Sequence, residues 1–122
     1  MYSERHHVSQ YDIPLPDAAA ATGIPAAAIL RYLELGLLQA SDTHGQEWIS
    51  PAQLELLIVL RALELLDQSP QRIRALLESR YDTPTDFDRR LHAEVKVHAA
   101  EHAELALLLP QLPGRPLPRR PA

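Results

Sequence analysis

Cysteine is absent from this chain of 122 residues, which excludes disulfide staples, thiolate metal sites and thiol redox sensing. Aromatic residues number only six, so a core has to rest on Leu, Ile, Val and Ala; the 46% apolar content suffices for one. No apolar run approaches the ~18 residues of a membrane span. Residues 1–10 contain no hydrophobic secretory segment. The chain therefore reads as a cytoplasmic protein without a membrane partner. Basic residues are scarce as well. The formal charge is −4, with nine Lys or Arg against sixteen Asp or Glu in residues 1–109 and three Arg without an acid in the last thirteen. The basic footprint usual in nucleic-acid binders is therefore missing. Also missing are a nucleophile–base pair, a carboxylate dyad, a phosphate loop and a cofactor fingerprint. The reading is a non-enzyme without cofactor or metal.

What is present has the length of one domain with an appended element. Residues 1–10 read as a flexible leader. Tyr11-Asp12-Ile13 is an extended lead-in, because prolines at 14 and 16 oppose a helix there. Asp17 caps a first helix at Ala18–Ala21. After Thr22-Gly23-Ile24, Pro25 suits the first turn of a second helix, which runs from Ala26 to Glu34 and stops at Gly36 in a left-handed conformation. Two helices joined by this turn form a helix-turn-helix pattern. Leu37–Ala40 and Gln46–Ile49 are extended runs around the polar loop Ser41–Gly45, a β-hairpin. Ser50-Pro51-Ala52-Gln53 is a capped helix start that opens a helix to about Leu66. Ser69-Pro70 opens another, with Ile73, Leu76 and Leu77 inward. Asp82–Thr85 is a linker with a further cap at Thr83-Pro84. A last helix spans about Asp86 to Leu109 and ends at Pro110. Residues 110–122, with five prolines and three arginines, read as a disordered tail of polyproline character. The domains expected are thus 11–80 for the folded module and 81–109 for linker and terminal helix, between leader and tail.

The order of these elements resembles the MerR family of winged helix-turn-helix proteins. The resemblance is carried by Thr22-Gly23-Ile24, Ile29, Tyr32, Leu35-Gly36-Leu37-Leu38, Ser50, Leu54 and Leu57. It continues through Leu63, Leu66, Ser69, Ile73-Arg74 and Leu76-Leu77. It covers Tyr11 to Ser79 in register and extends more loosely to Leu109. It implies a mostly α fold, a winged helix-turn-helix with a small hairpin wing followed by a long dimerisation helix. It also implies a homodimeric transcriptional regulator that places its second helix in the major groove of double-stranded DNA and its wing on the backbone. The chain departs from the family at three positions. Leu30 stands where the family favours arginine, with Arg31 one residue later. Glu47 and Ile49 stand where its wing carries arginine and an aromatic. A glutamate facing phosphates costs affinity. Trp48 followed by an apolar residue, an Ala/Leu-rich second helix and an acidic surface also resemble the CbpM-type chaperone modulators. That similarity implies the alternative, a protein that has lost DNA binding and grips a J-domain co-chaperone, whose basic helices suit an acidic partner.

The DNA- or partner-binding candidates are Pro25, Ala27, Ala28, Arg31, His44, Gly45, Gln46 and Trp48. Arg31 either touches phosphate or a base edge, or pairs with Glu34 or Glu47 in solvent. His44 and Gln46 flank Gly45 and either donate to phosphate oxygens or form a polar turn. Trp48 is either an anchor for a protein partner or packs the hairpin on the Leu54 helix; in a strand, one of Trp48 and Ile49 must face outward. His98-Ala99-Ala100-Glu101-His102 spells an inverted zinc-protease motif, but no third ligand is evident at a fitting position, Glu94 and Glu101 being candidates only, and the motif arises easily in such a helix. Leu91, Val95, His98, His102, Leu105 and Leu109 fall at alternating four- and three-residue steps, a coiled-coil seam. They are the dimerisation candidates, and a seam holding His98 and His102 would weaken as pH falls. His6-His7 and the arginines at 115, 119 and 120 carry no further assignment than non-specific attraction of an anion by the latter.

Overall fold

Side-chain caps from Ser50 and Ser69 open two of the helices, and Gly23 and Gly36, both at positive φ, close two others. The structure, a computed structural model, describes residues 10–114; the leader through residue 9 and the tail from residue 115, with His6-His7 and the three terminal arginines, lie outside the described residues. Among these, the chain is mostly helical, with six α-helices and one small antiparallel sheet. The elements are β1 (Ile13–Pro14), α1 (Leu15–Thr22), α2 (Ala26–Glu34), β2 (Ser41–Thr43), β3 (Gln46–Ile49), α3 (Pro51–Leu65), α4 (Pro70–Asp82), α5 (Pro84–His98), α6 (Ala103–Leu108) and a 3-10 turn at Leu109–Gln111. No described helix is long and apolar enough to cross a membrane. The chain divides into two compact units, with the boundary at Arg61–Ala62 inside α3.

In the first unit the sheet runs β1-β3-β2. Ile13 pairs with Ile49, and Ser41, Asp42 and Thr43 face Trp48, Glu47 and Gln46. Helix α1 packs on α2 and on β3. The core holds Leu15, Ala18, Ile24, Ile29, Tyr32 and Ile49, with Leu57 and Leu60 of α3 also buried. Helix α1 starts three residues before its predicted start. Pro16 falls within its first turn, where a missing N–H costs nothing, and Asp17 sits in that turn against the positive end of the helix dipole rather than capping it. The second hairpin strand, Gln46–Ile49, forms where the sequence predicts it, but the first is displaced from its predicted position. Leu37 and Leu38 are not extended; their N–H groups both donate to the Tyr32 carbonyl, closing α2 in a Schellman turn with Gly36 at φ 73. Ser41–Thr43, expected as loop, is strand because His44 and Gly45, at φ 55 and 75, make a two-residue turn of the primed type that matches strand twist.

Ser50 Oγ accepts from the Gln53 N–H at 3.2 Å, as a cap should, but the Gln53 side chain does not complete the box. Its Oε1 accepts from the Gln39 N–H at 2.8 Å, tying the segment before β2 to α3. In the second unit, Ser69 caps α4 by accepting from the Arg72 N–H. Thr83 does not cap α5; its hydroxyl donates to the Ser79 carbonyl of the preceding helix. Helices α4 and α5 are braced by Arg80, whose Nε and Nη2 donate to the two carboxylate oxygens of Asp88 at 2.7 and 3.1 Å. Asp88 is buried. Gly114 lies directly against it, where an added Cβ would stand 2.5 Å from the Asp88 carbonyl carbon. Asp88→Ala removes both of these charge-assisted hydrogen bonds from a part-buried guanidinium, and we expect a loss of about 2 kcal/mol of unfolding free energy. Urea unfolding followed by circular dichroism measures it, and an unchanged midpoint refutes the brace.

The single terminal helix expected over Asp86–Leu109 is not formed. It breaks at residues 99–102, and α6 packs back on α5. Leu91, Val95 and Leu105 are buried, together with Leu108 and Leu112. Three of the six seam positions are therefore consumed by the chain's own packing. His98 is half-exposed, with Nε2 3.4 Å from Glu94 Oε1; His102 precedes α6 as its N-cap residue, and Leu109 begins the 3-10 turn. A continuous seam with two buried histidines is thus absent, and the pH weakening expected of it lapses with it. The break also removes the shared helix face on which His98 and His102 would have presented two imidazoles. The stretch from Pro110 to Gly114, expected as the start of the tail, is part of the second unit, with Leu112 buried.

Candidate interaction surface

The turn before α2 is held from within. Thr22 is buried, its hydroxyl donates to the Ala18 carbonyl at 2.8 Å, and it accepts from the Ile24 N–H at 3.2 Å. The Gly23 N–H donates to the Ala19 carbonyl. Ile24 is buried beside this turn, so the entry angle of α2 is set by both polar and apolar contacts. Inside α2, Ala28, Ile29 and Tyr32 turn inward. Ala28 was expected at the binding face and is instead core, because it lies one residue, about 100° of helix, from the outward Ala27. Pro25, Ala26, Ala27, Leu30, Arg31 and Glu34 are exposed. The outward face of α2 is thus apolar with one cation and one anion. The Arg31 guanidinium lies 5.4 Å from the centre of the Tyr32 ring, a cation–π distance.

The hairpin supplies the second patch. His44 and Gly45 are exposed at its turn, and Gln46 is partly buried, its side-chain amide donating to the Glu47 carbonyl. Along β3, Ile49 is buried and Trp48 partly exposed, as strand alternation requires. The Trp48 indole Nε1 is enclosed yet has no hydrogen-bond partner. Trp48 lines a shallow pocket of about 240 Å³ with Gln39, Ser41, Ser50 and Gln53. Asp42 and Glu47 are directly opposed in the β2–β3 register. Like charges in that relation destabilise a hairpin. Neither this pairing nor the exposure of Leu30 was picked out from sequence as a binding feature. The charge type of residue 47 was visible there, but its partner across the strand depends on the two-residue turn.

Across residues 10–61 only Arg31 and Arg61 are basic, against Asp12, Asp17, Glu34, Asp42, Glu47 and Glu55. Comparison with protein-family models, with curated proteins and with solved structures gave no match.

Proposed function

We propose that residues 11–61 form the recognition part of a winged helix-turn-helix module that has become a protein-binding element. It presents the outer face of α2 and the β2–β3 hairpin to a basic partner. The observation that carries this reading is the opposed Asp42–Glu47 pair. Two carboxylates facing each other across a wing repel phosphates and welcome a lysine- or arginine-rich helix. The exposed Leu30 and Ala27 on α2 add an apolar patch suited to a protein surface and poorly suited to phosphate. A J-domain co-chaperone in the cytoplasm, the partner implied by the likeness to CbpM-type modulators, has the required basic helix.

A second reading, a MerR-like DNA-binding regulator acting as a homodimer, is favoured by one specific observation. Arg31 lies on the outward face of α2, the position from which a recognition helix reaches a groove. Two titrations separate the readings. On the first, the full chain binds a purified J-domain protein saturably, and Arg31→Ala leaves duplex DNA binding as weak as it was. On the second, duplexes enriched from a random pool bind with an affinity that falls steeply with salt, and Arg31→Ala weakens them. Steep, Arg31-dependent DNA binding without J-domain binding overturns the first reading.

A further inference from the structure

The second unit contains a cavity of about 760 Å³, within the range of small-molecule sites. It lies between the end of α3, α4, α5 and the α5–α6 connection. Leu65, Leu66, Leu76 and Phe87 line it and are only partly buried, so large apolar side chains face a space that water can enter. The ionisable lining is unbalanced. Asp67, Asp86, Glu94 and Glu101 share the lining with the Arg90 guanidinium, His98 and His102; Asp86 lies 3.8 Å from Arg89 and Glu94 3.4 Å from His98, which leaves Asp67 and Glu101 without an ion pair among the described residues. An apolar floor with an excess of carboxylates is complementary to a body of hydrocarbon carrying a positive charge.

Asp67 is exposed, has no ion-pair partner among the described residues, and sits on this lining at a cost to the fold. It holds φ 67, in the left-handed region that glycine or asparagine occupies at lower cost. It also follows the C-terminus of α3, where the Gln68 N–H donates to the Leu63 carbonyl. A negative charge there opposes the helix dipole. On both counts a carboxylate at this position works against the fold, and it lines the cavity. Replacing this carboxylate by a neutral amide is therefore expected to leave stability equal or higher.

We propose that this cavity is a binding site for a small amphipathic cation, an aromatic or aliphatic body bearing one ammonium-like charge, with Asp67 and Glu101 as its carboxylate contacts and Phe87 and Leu66 against its apolar part. The site lies wholly in the second unit and is independent of the partner assigned to α2 and the hairpin. The test uses the full chain and two ions of nearly the same size and shape and opposite charge, tetraphenylphosphonium and tetraphenylborate, titrated by calorimetry. Tetraphenylphosphonium binds saturably and at least about tenfold more tightly than the borate, the ratio set by complementary against like charge. Asp67→Asn reduces cation affinity roughly threefold or more while leaving the melting temperature equal or higher, since asparagine relieves both the backbone strain and the dipole conflict. Glu101→Gln serves as the second variant, with the same loss of affinity. Equal affinity for the two ions, or no saturable cation binding, overturns the proposal. So does an Asp67→Asn variant that binds the cation as well as the parent.

Discussion

Leu105→Ala lowers the free energy of unfolding by about 2–5 kcal/mol, a large share of the roughly 5–15 kcal/mol typical of a domain, and the loss does not vary with protein concentration. Leu105 is 1% exposed in a helix of six residues, far shorter than a helix that persists alone. Helix α6 exists because Leu105 and Leu108 are buried where it packs on α5. Had residues 86–109 formed a rod paired with a second chain, the same leucine would sit in an intermolecular seam, and its removal would shift the midpoint as the protein is diluted. Denaturant unfolding of parent and variant at several concentrations discriminates the two. A concentration-dependent loss would show that Leu105 packs on another copy.

Reversing both charges of the hairpin, Asp42→Lys with Glu47→Lys, abolishes measurable binding to a basic partner, since like-charge juxtaposition across an interface costs several kcal/mol. The single change Glu47→Lys has opposed effects on stability and binding. It replaces a repulsive cross-strand pair by an attractive one and stabilises the hairpin by about 0.2–1 kcal/mol, while partner affinity falls on the order of tenfold. A substitution that improves the fold and impairs binding marks a position held for function. Thermal melts and titration of a J-domain protein read the two effects. The doubly reversed hairpin also gains affinity for duplex DNA, through two new phosphate contacts that steepen the salt dependence. Unchanged partner affinity in the double variant removes the hairpin from the interface.

The features legible in sequence are those whose cause is local. Ser50 and Ser69 each precede a proline and each accepts a backbone N–H three residues on, a contact contained within one turn of chain. Gly36 ends α2 for an equally local reason, its positive φ. Arg31 and Ala27 face outward as the helical period predicts, whereas Ala28 does not, because one residue of error in phase exchanges surface for core. The hairpin is legible in its second strand, Gln46–Ile49, but its first strand begins later than the sequence predicts, for a related reason. His44 adopts a positive φ, which sequence rarely signals for histidine, and that single torsion draws Ser41–Thr43 into the sheet. Gln53 shows the limit of motif reading. Its spacing from Ser50 suits a capping box, yet its carbonyl oxygen is engaged by the Gln39 N–H, a group fourteen residues away that no local pattern reveals.

The sequence by itself determined the helical class, the capped starts of α3 and α4, the turn into α2 and the acidic balance of the chain, because each follows from neighbouring residues or from composition. Only the tertiary structure decided how the terminal leucines are used. Nothing between His98 and Ala103 forbids a helix; there is no proline or glycine, and alanine favours continuation. The helix breaks there nonetheless, because folding back buries Leu105 and Leu108, each worth roughly 1.5–3 kcal/mol, against a few backbone hydrogen bonds that water can replace. The spacing of apolar residues records that they must be buried, but burial against one's own chain and burial against another obey the same periodicity.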